Sequence, residues 1–102
     1  MDINRLIKIK IENDINNFEN IEVGIINKNN IYNYIIEPRY EEYIDMSNNK
    51  IMLWTVFESD DFGYKIVYSE KYGEFGLAMI SMENEKIFLG IYGGFVETLS
   101  SM

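Results

Sequence analysis

Apolar residues at Ile3, Leu6, Ile7, Ile11, Ile15 and Phe18 recur at three-to-four spacing, which predicts an N-terminal helix with one buried stripe. Asp2 stands where an N-cap belongs. A strand competes for the same residues, because Ile7, Ile9 and Ile11 alternate with Lys8 and Lys10, and Asn13, Asn16 and Asn17 are poor helix formers. The helical pattern spans the longer window and is preferred. Residues 21–36 stay open between extended and helical: Ile21, Val23, Ile25 and Ile26 suit a short strand, Asn27 to Asn30 interrupt it, and Ile31 to Ile36 follow. Pro38 restricts Glu37 and separates two elements. Beyond it, Arg39 to Met46 reads as a helix with Tyr40, Tyr43 and Ile44 on one face, ending in a turn at Ser47-Asn48-Asn49.

The pattern changes at Ile51. Ile51–Glu58, Tyr64–Ser69, Glu74–Met82 and Lys86–Tyr92 are short, β-branched or aromatic, and separated by three to five turn-forming residues. Connections this short predict an antiparallel meander. Strict alternation puts Trp54 and Val56 on one face of the first strand and Leu53 and Phe57 on the other, with Trp54 as core. After Gly93 and Gly94, the spacing of Phe95, Leu99 and Met102 predicts a closing amphipathic helix. The expected architecture is α+β: N-terminal helices packed on a four-stranded antiparallel meander with a short C-terminal helix, in one domain over residues 1–102.

Composition narrows the chemistry. With 47% hydrophobic residues the chain has material for a core despite a net charge of -8, with 17 acidic residues against 9 basic ones. It contains neither histidine nor cysteine, which removes the commonest general base, the thiol nucleophile and the best transition-metal ligands. The absence of cysteine rules out a disulfide framework and fits a cytoplasmic location. Apolar runs such as Ile51–Phe57 are too short for a membrane span, and Met-Asp-Ile-Asn lacks the basic opening of a signal peptide. Phosphate-binding loops, hydrolase elbows and zinc-protease helices have no counterpart here, so an enzyme and a cofactor are not expected. The scattered basic residues make no stripe for direct nucleic-acid contact.

The acidic residues gather from Ile11 to Asn49, where Glu12, Asp14, Glu19, Glu22, Glu37, Glu41, Glu42 and Asp45 meet only Lys28 and Arg39. Carboxylates interleaved with tyrosines suit the surface of a basic protein partner, by steering its approach and anchoring it. The candidate partner-binding residues are therefore Glu37, Tyr40, Glu41, Glu42, Tyr43 and Asp45, joined by the turn carboxylates Glu58, Asp60 and Asp61 and by Tyr72 at a hairpin tip. A merely solvated acidic face explains the same charges. Glu58, Asp60 and Asp61 could hold calcium or magnesium, but Phe62 and Ser69 stand where a calcium loop needs ligands, so a hydrogen-bonded turn is preferred and no metal is expected.

Leu53-Trp54 through Glu58, Gly63-Tyr64-Lys65-Ile66-Val67-Tyr68, Phe75-Gly76-Leu77-Ala78 and Phe88-Leu89-Gly90-Ile91-Tyr92-Gly93, followed by the amphipathic tail, resemble small uncharacterised bacterial domains of the immunity-protein kind. The resemblance covers about half the chain and implies a cytosolic, non-catalytic inhibitor of a toxin, often a basic nuclease. A phage or mobile-element anti-defence protein, such as a CRISPR inhibitor that mimics nucleic-acid charge, fits the same composition. So does a homodimeric scaffold module. Genomic context separates the first two readings, and light scattering identifies the third.

Overall fold

The computed structural model describes residues 2–59 and 63–102. Helix α1 (Ile3–Asn16) begins where the Asp2 carboxylate accepts a hydrogen bond from the Arg5 N–H at 2.9 Å, and it buries Ile7, Ile11 and Ile15. Ile9 is exposed, so the helical period decides this segment over the strand-like alternation. The open region resolves into a two-strand hairpin, β1 (Glu22–Val23) with β2 (Ile26–Asn27), and a 3-10 turn at Ile31–Asn33. No described helix is long and apolar enough to cross a membrane.

Strand β3 (Ile35–Ile44) replaces the helix expected over residues 39–46. It pairs with β4 (Lys50–Glu58) from Ile44 opposite Lys50 down to Ile35 opposite Phe57. The three-residue spacing of Tyr40 and Tyr43 imitates a helix, but in the strand these tyrosines face opposite sides, and ladder pairing outweighs the local preference. Pro38 does not separate two elements: it lies inside β3, in the interval where the register shifts, a place that tolerates a residue with no N–H to donate.

Strands β5 (Tyr64–Ser69), β6 (Glu74–Ile80) and β7 (Lys86–Gly93) follow the expected meander closely. Each sequential pair from β3 to β7 is antiparallel, and the five strands curl into a barrel. A meander with an odd number of strands can close only in parallel, and it does so where Ile44 of β3 meets Ile87 of β7. The α+β class holds, with a mixed five-stranded sheet in place of a four-stranded antiparallel one.

Two apolar clusters divide the molecule. Tyr43, Leu53, Val67 and Ala78, with Ile51 and Phe88 against them, come from all five strands and fill the ring. The larger cluster lies between the outer face of β4–β6 and the helices, joining Ile7, Ile11 and Ile15 to Val56, Phe57, Ile66, Tyr68 and Phe75, and to Phe95 and Leu99 of α2 (Phe95–Ser100). Phe95 packs edge-on against Phe57 and Phe75, at centroid distances of 6.1 and 5.7 Å. Strict alternation in β4 fails at one point: a register shift between Thr55 and Phe57 turns Phe57 outward beside Val56, away from Leu53 in the ring.

Glycine at position 94 leaves the start of α2 without a capping side chain, and Asp14 of α1 supplies one, accepting the Val96 N–H at 2.7 Å. This carboxylate joins the two helices instead of facing a partner. The β3–β4 and β6–β7 turns share one construction. The Asp45 carboxylate accepts N–H groups of Ser47 and Asn49, the Ser81 hydroxyl accepts those of Glu83 and Glu85, and Asn48 and Asn84 take left-handed φ values of 66° and 63°.

Candidate functional site

Alternation along β3 sorts its charged residues onto two faces of the same sheet. Arg39 and Glu41 point with Tyr43 toward the barrel interior, whereas Tyr40 and Glu42 point out. The inward set meets Glu58 of β4, Lys65 of β5 and Lys86 of β7 at one mouth of the barrel. The Glu58 carboxylate accepts from Arg39 at 2.8 Å and from Lys65 at 2.6 Å. Glu41 accepts from Lys86 at 2.7 Å, from the Thr55 hydroxyl at 2.6 Å and from Arg39 at 3.4 Å. The result is an alternating chain of cation and carboxylate, with Tyr43 bonded to Thr55 beneath it.

Burial raises the cost of ionising Glu41, but the hydrogen bonds from Lys86 and Thr55, with the charge of Arg39, outweigh it and hold the carboxyl at about 2. The Arg39 hydrogen bond lowers the pKa of Glu58, against the opposing effect of burial. Burial pushes the Tyr43 phenol up to about 12. Both carboxylates are therefore ionised and internally neutralised at neutral pH. Three of the nine basic residues are committed here to two acids, so the rest of the surface is more acidic than the net charge implies.

The outward face carries a different arrangement. Tyr40, Trp54 and Tyr68 stand in one row across β3, β4 and β5. Tyr40 is 54% exposed and packs against Trp54, with centroids 4.8 Å apart and the rings tilted by 41°. The indole Nε1–H donates to Glu70 at 2.7 Å, and Tyr68 is buried. One step along the strands a second row places exposed Met52 beside Glu42, with Glu70, two residues after Tyr68, on the other side. Glu42 has no ion-pair partner among the described residues. On the α1 side of Trp54 a groove of about 490 Å³ is lined by Asp2, Asn4, Arg5, Lys8 and Glu37.

The structure therefore splits the residues singled out from sequence. Tyr40 and Glu42 belong to the outward face. Glu37 is exposed beside it and paired to Lys8 at 2.6 Å. Glu41 and Glu58 are held in the inward chain, Asp45 is used by its own turn, and Tyr43 is fully buried, out of reach of a partner on the surface. Tyr72 is 59% exposed at the β5–β6 turn, with Lys71 5.3 Å over its ring. Asp60 and Asp61 lie outside the described residues.

Met52, Trp54 and Glu70 were not among the sequence candidates. Trp54 packs only partly against the larger core and otherwise forms part of the platform. The strand register brings these residues to Tyr40, a signal that exists only once β3 is read as a strand. No protein-family model matches the chain, and searches of curated proteins and of solved structures find no match.

Proposed function

We propose that the chain is a non-catalytic inhibitor that binds a basic protein partner through the outward face of β3–β5, in the manner of bacterial immunity proteins that occlude a toxin's active surface. The observation that carries this reading is the joining of exposed Tyr40 and Met52, with half-buried Trp54 between their strands and the core, to the flanking carboxylates Glu42 and Glu70. Aromatic anchors rimmed by charge are the composition of interface hot spots, and the surplus negative charge steers a cationic partner. On this reading the inward ion chain stabilises the scaffold and contributes little to recognition.

The test is affinity capture with the full chain from a bacterial lysate, followed by assay of any captured basic enzyme. Inhibition at equimolar ratio, lost in a Tyr40→Ala/Trp54→Ala variant that still folds, supports the proposal. A captured enzyme that keeps full activity, or binding that survives both substitutions, overturns it. Association should slow severalfold between about 0.05 and 0.5 M salt, because screening shortens the reach of exposed charges from about 14 Å to about 4 Å.

A further inference from the structure

We infer that the outward face is an arginine-binding site, which takes the guanidinium of a basic partner over Met52 and beside the Tyr40–Trp54 pair, between Glu42 and Glu70. This deepens the proposed function and rests on it. Glu42 lies opposite Met52 across β3–β4, and Glu70 continues the strand that pairs with β4 on its other side. Two strand spacings, about 10 Å, separate the backbones carrying these carboxylates, which leaves room for one planar cation that both side chains can reach. Directly between them stands the exposed Met52 side chain, and the Tyr40–Trp54 pair is the next row along the strands, with Tyr40 open to solvent.

The indole N–H is already donated to Glu70 Oε1, so Trp54 has no free donor and serves as the half-buried support of the exposed Tyr40 ring, while Glu70 Oε2 has no partner among the described residues. Cations border this position without occupying it. Arg5 and Lys8 line the groove on the α1 side of Trp54, Lys8 is tied to Glu37, and Lys50 stands two residues before Met52. The incoming cation therefore approaches from the β3–β5 side. A guanidinium suits the position better than an ammonium, since it stacks on rings, is weakly hydrated and offers paired donors to a carboxylate.

Trp54 is the only tryptophan, so its fluorescence reports this site directly. The full chain is titrated with octa-arginine and with octa-lysine, which have equal charge. Octa-arginine should shift the emission saturably and bind at least about fivefold more tightly than octa-lysine. Tyr40→Ala and a Glu42→Gln/Glu70→Gln double variant should each weaken octa-arginine by about fivefold or more, with unfolding midpoints that show both are folded. Equal affinity for the two peptides, no change in emission, or variants that bind like the parent would each overturn the arginine site. Should a basic enzyme be captured and inhibited, with loss in the Tyr40→Ala/Trp54→Ala variant, while octa-arginine leaves the Trp54 emission unchanged, the inhibitor reading stands and this site does not. If octa-arginine behaves as expected but no captured enzyme is inhibited, the arginine site stands and the inhibitor reading falls.

Discussion

Glu41 and Glu42 are neighbours with the same side chain, and they belong to two different regions of the protein. Glu41 points into the barrel mouth, where it accepts from Lys86, Thr55 and Arg39; Glu42 points out beside Met52 and has no ion-pair partner among the described residues. The inward region uses its charges on one another, and the outward region leaves them available. Formal charge therefore says little about recognition until each carboxylate is assigned a face.

The sharpest way to break this contrast is to remove each charge in turn. Glu41→Gln should destabilise the fold by roughly 2–3 kcal/mol, since it leaves half-buried Lys86 without its carboxylate. Glu42→Gln should stay within about 0.5 kcal/mol. Urea denaturation at neutral pH measures both, and equal losses would mean the two faces are not distinct.

Acid should expose the same division. The folded pKa of Glu41 is about 2, below its ordinary 4.5, so its stabilisation is complete above the ordinary value and is lost as pH falls toward 2. The lowered pKa of Glu58 acts in the same direction. Unfolding free energy should therefore drop by roughly 2 kcal/mol between about pH 5 and pH 2, and Glu41→Gln should flatten much of that slope. An unchanged slope in the variant would remove Glu41 as its cause.

Smaller effects refine the picture. Asp14→Ala removes the acceptor for the Val96 N–H and should cost about 1 kcal/mol, read as a lowered thermal midpoint with the octa-arginine response intact. Loss of that response would extend the binding region to α2. Asn84→Gly relieves the left-handed conformation at 63° and should stabilise by a few tenths of a kcal/mol, or leave stability unchanged, without affecting either face.

The strands β4 to β7 were legible because each is a short β-branched or aromatic run that ends at turn residues such as Ser69 to Gly73. β3 was not legible. Two of its inward positions are Arg39 and Glu41, which break the usual signature of apolar residues facing in, and Tyr40 with Tyr43 supplies a false helical spacing. Ion pairing across strands makes those inward charges tolerable, and sequence does not display such pairing. Trp54 was read as core because apolar neighbours surround it, yet the register of β3 and β5 on either side places it half-buried in the middle of the Tyr40–Tyr68 row.

Sequence by itself determined the α+β class, the helical period of α1, the meander from β4 to β7 and the acidic surplus, because these follow from local periodicity and composition. Tertiary structure alone decided that five strands close in parallel between Ile44 and Ile87, that the Thr55–Phe57 shift turns Phe57 outward, and that Glu41 and Glu42 part company. Register between distant strands sets each of these outcomes, and register is a property of the paired sheet rather than of any one segment.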